Sequence, residues 1–201
     1  LSPHTDDCEL AMGGTISKLV QAGHEISWII FSNAIESLPP NFSKDTLILE
    51  QKRAAEVLKI SNIHFYDIPA RKFPEHRQKI LDILVSHNKT FSPDVIFCPS
   101  LKDIHQDHMT IAREASRAFK NKSLIGYICF WNMLSELRNF YVTLSMENIQ
   151  TKLDAISCYE SQRRRGYIKS DSVMSSAKYY GIPANAEYAE AFEIIRLFDR
   201  S

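Results

Sequence analysis

Apolar and polar positions alternate along the chain between helix-like and strand-like patterns. Apolar residues at helical spacing predict helices over 9–22, 45–59, 109–119 and 147–159, and one more that starts near Pro74 and carries residues 80–85. Short apolar runs rich in β-branched and aromatic residues predict strands over 25–32, 62–68, 94–98, 124–131 and 188–198. Alternating strands and helices imply right-handed crossovers, and therefore an α/β fold with a mainly parallel sheet covered by helices on both faces.

The length and the even composition predict one domain over residues 1–201. A chain of 201 residues suits a single α/β domain. It contains no internal repeat, low-complexity tract or linker-like stretch. Because the first motif described below follows Leu1 so closely, we expect a strand just before Leu1, lying mostly outside this sequence.

The charge balance excludes several classes of partner. Lys and Arg number 24, as do Asp and Glu, which argues against nucleic acid and against an anionic membrane surface as the main partner. The longest apolar runs are too short to form an integral membrane segment. The four cysteines form no CxxC pair, so we expect a reducing compartment, most simply the cytoplasm.

Two short motifs of histidine and aspartate carry the candidate chemistry. The first motif is residues 3–7 (PHTDD) and the second motif is residues 105–108 (HQDH), each at the expected exit of a strand, where α/β sheets bind ligands. His4 and Asp7 are three residues apart at the head of a helix and can face one point. A catalytic zinc ion takes three protein ligands and leaves a position for water. Either histidine of the second motif can supply the third ligand.

The remaining polar residues of both motifs suit proton transfer. Asp6, next to the ligand Asp7, is placed to take a proton from a water that the metal activates, which is the role of a general base. Whichever of His105 and His108 is not a ligand can stabilise an oxyanion or protonate a leaving amine. Asp107 can hold an imidazole in one tautomer. The set predicts a mononuclear metallohydrolase that acts on an amide.

The two motifs, with residues 13–15 (GGT) between them, resemble the LmbE/PIG-L family of zinc-dependent N-deacetylases. The resemblance implies a three-layer Rossmann-like α/β fold and removal of N-acyl groups, usually acetyl, from glucosamine-type sugars. It also implies site roles: the zinc ligands His4, Asp7 and His108; the general base Asp6; His105 stabilising the tetrahedral intermediate; and Asp107 supporting His105. One departure is Leu47, where many members carry an arginine associated with substrate binding.

The resemblance implies Zn²⁺ as the cofactor, with Fe²⁺ as an alternative because His/Asp sites accept several divalent metals. It implies a small N-acetylated sugar or sugar conjugate as the substrate, and it leaves a homo-oligomer open. Two other functions remain as alternatives, a non-catalytic sugar- or metal-binding homologue and a metal-dependent phosphoesterase. Outside the motifs, residues 163–165 (RRR) have two interpretations, a contact to a substrate phosphate or a solvated basic turn.

Overall fold

Helices cover both faces of a β-structure in the computed structural model, which describes residues 1–199. The helices are α1 (Asp7–Gln21), α2 (Thr46–Val57), α3 (Arg77–Thr90), α4 (Gln106–Ala118), α5 (Met146–Ser157) and α6 (Ser170–Gly181). The strands are β1 (Ser27–Ile30), β2 (Asn62–Phe65), β3 (Val95–Pro99), β4 (Ser123–Tyr127), β5 (Phe140–Leu144) and β6 (Tyr188–Arg196). No helix within residues 1–199 combines the length and the apolar character needed to cross a membrane.

Most of the elements expected from the hydrophobic pattern are confirmed. All five predicted helices and all five predicted strands are present with shifted ends, whereas β5 and α6 are not anticipated by the pattern. The predicted strand over 124–131 ends early at Tyr127, because the chain then leaves the sheet and forms a 3-10 turn at Phe130–Asn132. Pro74 lies in a 3-10 turn at Phe73–His76 that precedes α3, rather than in the helix itself.

The expectation of a mainly parallel sheet is wrong. Strand β1 pairs with β2, and β3 pairs with β4, both in parallel. Strand β6 lies between β4 and β5 and is antiparallel to each of them. In general, a single crossover helix carries the chain back to the edge of the sheet at which the preceding strand began, so the next strand can pair in parallel with it. Two helices, α5 and α6, separate β5 from β6, so the chain enters β6 from the opposite edge and runs the other way.

Side chains of β1 alternate between two apolar cores, as the two-residue period of a strand requires. Ile30 belongs to the core formed with α1, α2 and α5. Ile29 and Phe31 belong to the core formed with α3 and α4. The β-structure therefore lies between two layers of helices.

Residues Leu1 and Ser2 connect the two sheets at the edge where the site lies. The Ser2 N–H donates to the Ile29 carbonyl (2.8 Å) and the Phe31 N–H donates to the Ser2 carbonyl (3.0 Å). The Leu1 amino group donates to the carbonyl of Phe97 in β3 (2.7 Å). The loop of the first motif is thus held between the ends of β1 and β3.

Helix α1 is kinked directly behind the first motif. Met12 has non-helical backbone angles (φ −143°, ψ 22°), which interrupts the helix and exposes new N–H groups. The buried carboxylate of Glu190 accepts from the N–H groups of Gly14 (3.0 Å) and Thr15 (2.7 Å). Lys152 pairs with the same carboxylate at 2.7 Å. These contacts at the kink hold the start of α1, and with it the first motif, against β6 and α5.

Candidate metal centre

Both motifs lie where the chain enters a helix. The first motif forms the loop between Ser2 and α1, and its fold is fixed locally: the Ser2 hydroxyl donates to the His4 carbonyl (2.7 Å), and the His4 N–H donates to Asp7 Oδ2 (2.7 Å). The second motif begins at His105, which occupies the N-cap position of α4. Because Ser2, just before the first motif, pairs with the end of β1, and α4 follows the end of β3, the two motifs meet at one edge.

Three potential ligand atoms converge between the motifs. Asp7 Oδ2 lies 3.2 Å from His4 Nδ1 and 3.3 Å from His108 Nε2. One ligand atom from each of these residues lies within 4.8 Å of the other two. A tetrahedral zinc site with ligands at about 2.0–2.1 Å from the ion has ligand-to-ligand edges of about 3.3–3.4 Å. The donor set and the two measured edges therefore fit a tetrahedral divalent metal.

Each ligand histidine is oriented by a carboxylate on its other ring nitrogen. His4 Nε2 lies 2.9 Å from Asp107 Oδ2, and His108 Nδ1 lies 2.8 Å from Asp103 Oδ2. Metal-ligating histidines are held in this way, because a carboxylate acceptor fixes the tautomer and leaves the other nitrogen free for the metal. The contacts leave Nδ1 of His4 and Nε2 of His108 as the candidate ligand atoms.

The side chain of Asp107 contacts His4 rather than His105, the residue that sequence reasoning expected it to support. The same carboxylate accepts from the backbone N–H of Arg71 (2.6 Å) and of Phe73 (3.4 Å). Arg71 is in the left-handed region (φ 67°), an uncommon conformation for a residue with a side chain. The direct link from Asp107 to His105 is through the backbone, since the Asp107 N–H donates to His105 Nδ1 (3.2 Å).

Sequence reasoning missed Asp103, a buried residue whose carboxylate lies behind the imidazole of His108. Besides its contact with His108, its Oδ1 accepts from the His105 N–H (2.8 Å). Asp103, His108 and Cys129 also form a group of buried potential metal ligands. The available signal was a carboxylate two positions before the second motif, but nothing local shows that it turns back toward His108.

Charges within the site shift the pKa values of the ligand residues. Burial opposes the charged form of His4, but the charge of Asp7 and the hydrogen bond to Asp107 raise its pKa to about 9. Burial likewise opposes the charge on His108, yet Asp7 and Asp103 raise its pKa well above the ordinary value. Burial alone would raise the pKa of Asp7, but the charges of His108 and His4 hold it well below its usual range. Without a metal, these shifts favour the charged form of both imidazoles.

Asp6 and His105 line a cavity of about 240 Å³ together with the three candidate ligands. Asp6 occupies the N-cap position of α1 but makes no capping hydrogen bond, so its carboxylate is not engaged by the helix. Burial and the charge of Asp7 raise the pKa of Asp6, and Arg165 and His4 oppose that rise. Burial, with the charges of His108 and His4, lowers the pKa of His105. A carboxylate and a neutral imidazole therefore face the same space.

An aromatic and basic wall completes this cavity. The indole of Trp131 stacks on Tyr167, with ring centroids 4.3 Å apart and planes at 7°. The guanidinium of Arg165 hydrogen-bonds the Tyr167 hydroxyl and lines the same cavity. Arg163 and Arg164 are exposed. The basic run is therefore divided: Arg163 and Arg164 are exposed, and Arg165 lines the cavity.

Comparisons with known proteins agree with this geometry. The profile of the family described as PIG-L, GlcNAc-PI de-N-acetylase, matches residues 1–119. The diacetylchitobiose deacetylase of Thermococcus kodakarensis is 24% identical over 219 residues, which cover 97% of this chain and 81% of that protein. The structure of N,N'-diacetylchitobiose deacetylase from Pyrococcus horikoshii matches with a TM-score of 0.77 at 20% identity, covering 96% of this chain and 81% of that one.

A solved structure with another activity matches equally well. GalB, the 4-carboxy-2-hydroxymuconate hydratase from Pseudomonas putida KT2440, gives a TM-score of 0.78 at 18% identity, covering 100% of this chain and 97% of that one. A deacetylase and a hydratase therefore share this fold, and the chemistry must be argued from the residues of the site.

Proposed function

Because the chain belongs to the PIG-L family of de-N-acetylases, whose profile matches more than half of it, we propose that it hydrolyses the N-acetyl or another N-acyl group of an amino sugar or sugar conjugate. The supporting observation is the convergence of His4, Asp7 and His108 beside the carboxylate of Asp6, which lines the same cavity and makes no capping hydrogen bond. We propose Zn²⁺ as the metal, since two imidazoles, one carboxylate and edges of 3.2 and 3.3 Å suit it.

His4, Asp7 and His108 hold the metal in this proposal. When bound, a divalent ion supplies a Lewis acid that polarises the acyl carbonyl and makes water a better nucleophile. Asp6 takes one proton from the attacking water as its oxygen bonds to the acyl carbon. The raised pKa of Asp6, caused by burial and by Asp7, brings its basicity closer to working pH and so favours this transfer.

His105 serves as a hydrogen-bond donor to the developing oxyanion. Its Nδ1 accepts from the Asp107 N–H, so in the neutral ring the proton lies on Nε2. The lowered pKa of His105 keeps the ring neutral at pH 7. A fixed donor aimed at an oxygen that gains charge stabilises the transition state. The C–N bond then breaks, and the amine leaves with the proton that Asp6 had received.

The two alternative functions fit the site less well. A non-catalytic binding homologue has no use for a buried carboxylate at the cavity such as that of Asp6, because removing it from water costs folding free energy. A two-metal phosphoesterase needs a second set of ligands. Within residues 1–199, the three candidate metal groups overlap, because His4 belongs to two of them and His108 to two. They describe one centre.

The test is amine release from a panel of N-acetylated sugars and sugar conjugates, using metal-free protein and protein reconstituted with Zn²⁺ or Fe²⁺. We expect turnover only with metal. Asp6→Asn should keep the metal stoichiometry but lose about 10²–10⁴-fold in kcat, the usual contribution of a general base. The exposed Asp171→Asn is the matched control and should match wild type. Near-full turnover by metal-loaded Asp6→Asn would refute the base, and the absence of amine release from every substrate would refute the function.

A further inference from the structure

Arg165 lines the metal cavity without a carboxylate partner. Its guanidinium does not take part in any ion pair formed within residues 1–199, and its hydrogen bond goes to the neutral hydroxyl of Tyr167. Arg163 of the same run differs in both respects, since it is exposed and pairs with Glu160 at 3.7 Å. A guanidinium carries five N–H donors, so most of those of Arg165 remain available to a bound molecule.

The surroundings of Arg165 favour its charged form on balance, since the pKa of the guanidinium is raised despite burial. Arg165 is only partly accessible, and removal from water opposes its charged form. The charge of Asp6 favours the cation, although no direct ion pair joins the two residues. An anionic group on a bound substrate would supply the direct ion pair that Arg165 lacks within residues 1–199.

Neighbouring residues extend this site toward a sugar-sized ligand. The side chain of Tyr167 is held between Arg165 and the stacked ring of Trp131, which restrains the guanidinium. Arg71, in the loop before α3, is another lining residue of this cavity, and its guanidinium donates to the carbonyl of Glu36 (3.5 Å). Planar guanidinium groups recognise carboxylate and phosphate oxygens through paired hydrogen bonds.

We propose that Arg165 is a specificity-determining residue that binds an anionic substituent, a phosphate or a carboxylate, on the N-acylated sugar. This inference rests on the proposed function and deepens it by naming the substrate class. The carboxylates of Asp6 and Asp7 would repel such an anion, so the preference for a charged substrate depends on Arg165.

Binding of amine products tests the proposal without turnover. The zinc-loaded protein is titrated by calorimetry with glucosamine, glucosamine 1-phosphate, glucosamine 6-phosphate and muramic acid. We expect at least one anionic compound to bind about tenfold to a hundredfold more tightly than glucosamine, the usual range for hydrogen bonds to charged groups. The preferred compound distinguishes phosphate from carboxylate.

The variant Arg165→Gln should abolish or reverse this preference, while Arg163→Gln, exposed and outside the cavity lining, should keep it. Equal binding of charged and neutral compounds by wild type would overturn the proposal. A preference that survives in Arg165→Gln would also overturn it, because the anion would then bind elsewhere, for example on the metal. Selective binding that depends on Arg165, in a protein that releases no amine from any acetylated sugar, would refute the proposed deacetylation and retain the anion site.

Discussion

Replacement of Asp103 by asparagine tests the orientation of the metal-binding histidine. Asp103 makes two contacts, both with donors: Oδ2 with His108 Nδ1 (2.8 Å) and Oδ1 with the His105 N–H (2.8 Å). Asparagine has the same shape but only one oxygen. Whichever way the amide turns, one of the two donors loses its acceptor and faces an NH₂ group.

The size of the effect follows from burial. The side chains of Asp103 and His108 are 0% and 1% exposed, so solvent does not screen their interaction. A buried hydrogen bond to a charged group contributes about 1.5–3 kcal/mol. Loss of a carboxylate behind a metal-bound histidine typically weakens metal affinity by about 10–100-fold, which is the same range. We therefore expect Asp103→Asn to raise the zinc Kd by about 10–100-fold.

The assay is competition for zinc with a chromophoric chelator at fixed pH. Thermal unfolding of the metal-free proteins is measured in parallel, so that loss of the fold is separated from loss of affinity. The exposed Asp94→Asn provides the matched control and should bind zinc as wild type does. A folded Asp103→Asn protein whose zinc Kd lies within about twofold of wild type would refute the argument that Asp103 orients His108.

Two further predictions concern protons and packing. His4 has a pKa of about 9 and the pKa of His108 is also raised, so both imidazoles are expected to be protonated near pH 7. Because metals bind neutral imidazole, zinc binding should release about two protons near pH 7 and should become tighter as the pH rises. Calorimetry in buffers of different ionisation enthalpy measures this release, and its absence would contradict the assigned ligands. A Cβ on Gly126 would lie 2.9 Å from the Ser100 Cα, so Gly126→Ala should lower the free energy of unfolding by about 1–3 kcal/mol in urea denaturation. Gly166→Ala, which meets nothing within 4 Å, is its control; an equal effect of both would contradict the packing argument.

The pairing of His4 with Asp7 in the first motif could be predicted from the sequence because the two residues are close together in the chain. His4 and Asp7 lie one helical turn apart, and the His4 N–H bonds the Asp7 carboxylate within the same loop. The choice between the two histidines of the second motif was different. The residues alone left it open, the family resemblance favoured His108, and the structure places His108 Nε2 3.3 Å from Asp7 Oδ2.

The contacts missed or misjudged are those between segments distant in sequence. Asp107 was expected to serve its neighbour His105, but its carboxylate reaches His4, 103 positions away. Arg165 was one of three consecutive arginines, and no local signal separates it from its exposed neighbours. Whether such a side chain faces a cavity depends on the path of the loop that carries it.

By itself, the sequence determined most of the helices and strands, the resemblance to a deacetylase family and the residue types of the candidate metal centre. These depend on short-range periodicity and on ligand spacing, which a few neighbouring residues encode. Only the tertiary structure decided the antiparallel course of β6, the carboxylate partner of each histidine and the arginine that faces the cavity. The physical reason is that these contacts join residues brought together by packing of distant elements, and packing is a property of the whole chain.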